Sequence, residues 1–189
     1  MKRIILASTS PRRQELLKAA GFEFEIRPPE VNENIIGTKS FSDLAEALAK
    51  RKAEVVRNTE GDDAVIIGAD TIVVLDNEVM GKPTSSEEAI GMLKRLSGRT
   101  HDVITGVCVL SDSQVNTFSE STAVTFKQLS DEEIAHYVEV YKPFDKAGAY
   151  GIQEWIGLVG ITRIEGDYFN VVGLPVARLV PVLRDVLGL

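Results

Sequence analysis

Apolar residues follow two rhythms along this chain. Short runs at residues 4–7, 22–26, 64–68, 71–75, 78–81, 103–110, 121–126, 158–164 and 168–172 read as strands, the central ones apolar on both faces. Helical spacing links Leu16, Leu17 and Ala20, then Leu44, Ala45, Leu48, Ala49, Val55 and Val56. It recurs in Ala89, Met92, Leu93 and Leu96, in Ile134, Tyr137, Val138 and Tyr141, and in Val176, Leu179, Val180, Leu183 and Val186. Ser10 caps the first of these helices, Pro11 suits its first position and Gly21 stops it. Ser40 or Ser42 caps the second, which runs to about Arg57. Ser85/Glu88 and Ser130/Glu133 have the spacing of capping boxes, and Pro175 begins the last helix.

The stretch AVIIGADTIVVLDNEVMGKP, residues 64–83, organises the rest. Asp70 lies between two apolar runs, where burying a carboxylate is costly unless something compensates its charge. Asp76-Asn77 offers a tight turn to a returning strand. A two-residue loop there sets Thr71 opposite Lys82 and brings an acid and a base to one end of the hairpin. A buried structural ion pair is one reading. The other is a catalytic or metal-binding carboxylate beside a phosphate-binding lysine.

Three further regions offer cations. Arg12 and Arg13 fall in the first turn of a helix, where the dipole disfavours them. An anion at that N-terminus, flanked by the hydroxyls of Ser8, Thr9 and Ser10, would remove the conflict; two solvated arginines are the plain alternative. Lys52 lies within an apolar stripe and either snorkels along the core edge or reaches a ligand. In that setting Lys52→Met is expected to cost activity and little stability. Lys146 belongs to FDKAGAYGIQ, residues 144–153, whose Gly/Ala spacing among charged and amide groups suits a binding loop ending at Gln153. Glu30 and Glu33 lie in a loop after Pro28-Pro29.

Composition narrows the chemistry. A chain of 189 residues fits one domain with room for two lobes, and a net charge of −7 argues against an extended nucleic-acid footprint. No apolar run approaches the ~20 residues of a membrane span, and the N-terminal run reads as a first strand with no export signal. The lone Cys108 reads as a core residue in a reducing compartment. Two His and one Cys cannot build a usual zinc site, so any metal is a hard cation held by carboxylates. His101 has no nucleophile placed around it and reads as a hydrogen-bonding residue. P-loop and dinucleotide motifs are absent, as is the second aspartate of a DxD enzyme. Several cations with a hard metal suit a polyphosphate. Hydrolysis through an activated water and simple nucleotide binding both stay open.

Ser8-Thr9-Ser10-Pro11-Arg12-Arg13, Gly68-Ala69-Asp70-Thr71, Gly81-Lys82-Pro83, Leu96-Ser97-Gly98-Arg99-Thr100-His101, the 145–153 loop and Asn170-Val171-Val172-Gly173-Leu174-Pro175 closely resemble the Maf family of nucleotide pyrophosphatases. The likeness runs nearly end to end and in the same order. GADT with DKAGAYGIQ looks like the branch acting on dTTP and UTP. The resemblance implies a single α/β domain over residues 1–189, similar to inosine triphosphate pyrophosphatases, with two lobes around an elongated mixed sheet and a cleft between them. It implies a cytoplasmic homodimer with a divalent metal, usually magnesium or manganese; the charge and the apolar runs point to neither nucleic acid nor membrane as partner. Carried over, Asp70 matches the catalytic acid, read as the general base. Arg12, Thr71 and Gln153 match positions tied to substrate choice. Ser8, Arg13, Glu33, Lys52 and Lys82 match the remaining polar cleft residues, with Glu33 and Asp70 toward the metal; Lys146, as a cation of the binding loop, is expected to bind substrate. One departure is Glu154-Trp155-Ile156, bulky where many members have small residues, which bears on the base pocket. The rival expectation is a nucleotide-binding regulator of division or the envelope that senses without turnover.

Overall fold

In strands β1 (Arg3–Ala7), β3 (Ala64–Leu75) and β5 (Thr100–Ser111), alternate side chains serve opposite faces of one sheet. The computed structural model describes residues 2–31, 37–61, 63–112 and 114–189. Its sheet has seven strands in the order β2-β1-β3-β5-β6-β7, with β4 (Glu78–Met80) on β3; β2 is Glu25–Ile26, β6 Gln114–Phe126 and β7 Ile161–Glu165. Both β2 and β3 run parallel to β1, whereas β4 is antiparallel to β3 and β7 to β6. The fold is therefore α/β with a mixed sheet flanked by helices, as the resemblance implied. No helix is long and apolar enough to cross a membrane, among the described residues.

The chain divides into two compact units: Met1–Thr71 with Thr105–Glu120 and Gly173–Leu189, and Ile72–Ile104 with Ser121–Val172. In the first, Ile4, Leu6, Val65, Ile67, Val107 and Val109 form one buried face. Leu17 of α1 (Pro11–Ala19) and Leu179 and Leu183 of α7 (Val176–Leu187) cover it. The intervening positions Ile5, Ala7, Ala64, Ile66, Cys108 and Leu110 meet Ala49, Ala53 and Val56 of α2 (Phe41–Glu60). Helix α2 rests on bare backbone. A Cβ on Gly68 would lie 2.2 Å from the Ala49 carbonyl oxygen, and one on Gly106 2.2 Å from that of Ala45.

The second unit holds α3 (Ser86–Leu96) against α4 (Asp131–Tyr141) and a 3₁₀ turn at Ala147–Ala149. His101, Phe126 and Tyr150 pack their rings together there. The Asp76-Asn77 turn has positive φ at both residues, 54° and 61°, the geometry that matches strand twist. It sets Leu75 opposite Glu78 and Val73 opposite Met80, the expected register. The ladder ends there, before it reaches the Thr71–Lys82 step.

Several sequence expectations change. Ser10 occupies the N-cap of α1 but its side chain caps nothing; its N–H instead donates to Ser8 Oγ at 3.2 Å. Ser40 caps α2, which runs past Arg57 to Glu60 because the helix-stopping glycine is Gly61. Ser130 and Glu133 make the full capping box, but Glu88 accepts from Thr84 rather than from the N-cap Ser85. Only Glu25 and Ile26 of the 22–26 run pair as strand. Residues 158–160 complete helix α5 (Trp155–Gly160), whose start is set by Glu154. Residues 168–172 are helix α6 (Tyr168–Val172), opened by Asp167, whose carboxylate accepts from the Phe169 N–H at 2.8 Å. Short apolar runs carry no period that separates helix from strand.

Gly68→Ala is expected to lower stability by about 1–3 kcal/mol, because the obstructing atom is helix backbone and cannot turn aside. Chemical denaturation of the variant against the parent measures it.

Candidate active site

Strand parity decides where the two central residues of GADT go. Ala64 and Ile66 face α2, so Gly68 and Asp70 follow on that side by steps of two. The missing side chain at Gly68 lets α2 descend onto β3, which brings Lys52 to Asp70. The Lys52 ammonium donates to Asp70 Oδ1, and the two residues are 9% and 8% exposed. This answers the charge problem posed by the apolar run. The base on Asp70 is thus a residue of α2, where the hairpin register had suggested Lys82. Lys52 does not merely snorkel.

Thr71 has the opposite parity and shares the face of Val65, Ile67 and Ala69, toward α1 and α7. Arg13 meets it there. The guanidinium donates from Nη2 to Thr71 Oγ1 at 3.0 Å, from Nη1 to Ser8 Oγ at 3.3 Å and from Nε to the Gly173 carbonyl at 2.8 Å. Thr71 also exchanges a 2.9 Å hydrogen bond with Thr105 Oγ1. Three oxygens thus fix a cation in the first turn of α1, against its dipole, and the planar fork suits the task. Ser8 follows directly on β1, whose last pair with β3 is Ala7–Gly68. Asp70 and Thr71 therefore lie just past the carboxyl end of β1, the edge at which parallel sheets receive ligands.

Of the other sequence candidates, Arg12 is half-buried in the first turn of α1. Lys82 is exposed beyond β4, in the second unit. Lys146 is buried, and its ammonium pairs with Asp145 at 2.7 Å and Glu154 at 3.1 Å. Gln153 is exposed. Glu33 lies outside the described residues, among which no three His, Cys, Asp or Glu side chains gather. His101 Nε2 shares a 2.7 Å hydrogen bond with the Tyr150 hydroxyl. Burial pushes its pKa down to about 4, so it is neutral and no general base near pH 7. The partners that residue-by-residue reading missed are Thr105 and Gly173. Thr105 left a signal, a hydroxyl inside the apolar run 103–110.

The fold and these clusters define an α/β protein that gathers one compensated carboxylate and a fixed guanidinium at the end of parallel strands. The chain belongs to the Maf family: the family model described as "Maf-like protein" matches residues 3–186. A relative from Phocaeicola vulgatus, named dTTP/UTP pyrophosphatase, is 52% identical over 96% of this chain and 95% of its own. Relatives with the same name come from Bacillus cereus and Porphyromonas gingivalis. The first is 50% identical over 98% of this chain and 96% of its own. The second is 47% identical over 97% and 94%.

Two expectations follow. Lys52→Met strands a buried carboxylate, so its stability cost should be about 3–5 kcal/mol, far from the small effect an apolar stripe suggested. Adding Asp70→Asn should recover part of that cost, which a double-mutant cycle in urea reads directly. The His101 imidazole is neutral when folded, and its folded pKa lies below the unfolded 6.5. The unfolded chain therefore binds its proton first as pH falls, and stability drops from about pH 6.5 down to about pH 4, by up to about 3 kcal/mol. Unfolding free energies across that window should fall less steeply in His101→Gln than in the parent.

Proposed function

We propose that this chain hydrolyses dTTP and UTP between the α and β phosphates, releasing the nucleoside monophosphate and pyrophosphate. The family match and the shared name of its relatives support the reaction class. The observation that carries the mechanism is Asp70, a carboxylate buried within an apolar strand and paired with a lysine. Lys52 occupies Oδ1 and orients the carboxylate, so Oδ2 is the atom that takes the proton from the attacking water. Arg13 is already fixed by Ser8, Thr71 and Gly173, and needs little reorganisation to meet charge on the phosphates. Arg12 and Lys52 supply the remaining positive charge of the first unit.

The donor chemistry fits a magnesium or manganese ion. Such hard cations take one or two carboxylates and leave the other positions to phosphate oxygens and water, so a site without a dense acidic cluster suffices. Asp70 would hold it, with Glu33 as the second acid. Once bound, the ion would neutralise phosphate charge and acidify a bound water.

Base choice falls to Gln153. Uracil and thymine present a donor at N3 and an acceptor at O4, which one amide satisfies with its two ends. Cytosine reverses both groups, and an amide free to flip would accept it equally. Selection therefore requires a held amide.

Product analysis over a panel of nucleoside triphosphates, with and without magnesium, tests the reading. UTP and dTTP should be preferred and pyrophosphate should appear first; orthophosphate with a diphosphate would overturn the geometry. Asp70→Asn should stay folded and lose about 10²–10⁴-fold in kcat, the usual range for a general base. A chain that binds these nucleotides without turnover would instead be a sensor.

A further inference from the structure

Gln153 is the third residue of a turn closed by the Glu154 N–H donating to the Gly151 carbonyl at 3.0 Å. Both ends of that turn are tied to one hydroxyl. The Gly151 N–H donates to Tyr137 Oη at 3.0 Å, and the Tyr137 hydroxyl donates to Glu154 Oε2. Lys146 pairs with the other oxygen, Glu154 Oε1, at 3.1 Å, and with Asp145 on its far side. Gly151 is the residue that permits this closeness. A Cβ there would lie 2.9 Å from the Glu154 carboxyl carbon and 3.1 Å from Lys146 Cε. Ile152 is buried beside it, so Gln153 alone projects from the turn. Helix α4 holds the following residue too, since the Trp155 ring meets His136 edge-on at 5.0 Å.

We infer that Tyr137, Glu154 and Lys146 form a clamp that fixes the direction of Gln153 and so set the enzyme's discrimination between uracil-type and cytosine bases. This rests on Gln153 as the reader of the base. It makes the three positioning residues and assigns the Lys146 ammonium to the loop rather than to the triphosphate. The departure from small residues at Glu154 then has a purpose, because a glycine or alanine there could not span Tyr137 and Lys146. Burial and the Glu154 carboxylate both raise the Tyr137 pKa, so the phenol stays protonated and keeps donating. A backbone turn pinned at both ends fixes where the Gln153 side chain begins, which sets the reach of its amide toward a base; resisting the flip that would admit cytosine takes a partner on the amide itself.

Steady-state kinetics of the full chain with UTP and CTP test it, with melting temperatures measured alongside. Tyr137→Phe keeps the ring and removes both hydrogen bonds. The preference for UTP over CTP in kcat/KM should fall about tenfold or more, with KM for UTP rising more than kcat falls. Glu154→Gln can still accept from Tyr137 and should keep most of the preference, whereas Glu154→Ala should lose it. In a Gln153→Ala background the reader is gone, and Tyr137→Phe should change the preference no further. An effect that adds there would mean damage to the fold alone and would overturn the clamp. So would an unchanged preference in Tyr137→Phe when Gln153→Ala abolishes it, though Gln153 would then stand as reader. Unchanged preference in Gln153→Ala itself would remove Gln153 as reader and the clamp's role with it. Should Tyr137→Phe not fold, Lys146→Met approaches the same carboxylate from the other side and is judged by the same outcomes.

Discussion

The first unit depends on one close approach, that of helix α2 to the sheet over two glycines. Helices usually sit on sheets through interdigitating side chains, which leave their axes about 10 Å away. Here carbonyl oxygens of α2 come within 2.2 Å of where Cβ atoms on Gly68 and Gly106 would stand. The depth of the helix is therefore set by backbone against backbone, a hard contact with little give. Lys52 inherits that depth. Its side chain reaches a carboxylate inside a strand, and burying either charge alone would be strongly unfavourable. Packing at two small residues thus fixes an electrostatic pair one turn further along the helix.

The second organising fact is that Asp70 and Thr71 are neighbours in a strand and so look to opposite faces. Asp70 is held by α2 and Thr71 by α1 through Arg13. Neither contact competes with the other for space. A helical dipeptide at the same place would have splayed its side chains by about 100° and shared neighbours between them. Two adjacent codons therefore carry two independently supported groups. The loop after β1 and the turn before α7 supply the rest of the Arg13 cradle, Ser8 and Gly173.

How much of this was legible in the sequence follows from the range of each interaction. Asp70 stood out because a lone carboxylate interrupts a long apolar run, a signal confined to a few residues. The Asp76-Asn77 turn and the register of its hairpin were equally local and came out as expected. Lys52 was visible as a charge inside an apolar stripe, but its partner was not, because a stripe says which face is buried and nothing about depth. Only the Gly68 contact supplies that. The run 158–164 reads as one strand, yet 158–160 close helix α5 and only the part from Ile161 is strand β7. Residues 168–172 read as strand but form α6, because short apolar runs satisfy either period and its opening residue Asp167 looks like part of a turn. The Tyr137–Glu154 contact joins a helix to a loop, so no spacing announces it.

Strand parity in β3 also constrains how this chain can change over time. Gain or loss of one residue between Ala64 and Gly68 would rotate every later side chain in the strand to the opposite face. Asp70 would then turn toward α1, Thr71 toward α2, and the glycine that seats α2 would be replaced by a residue with a side chain. Two residues at a time would keep the faces but slide the acid away from Lys52. Length variation in this stretch is thus closed to small steps. Among the segments that flank the site, β3 is the one whose reading frame of faces, as much as its composition, must be inherited intact.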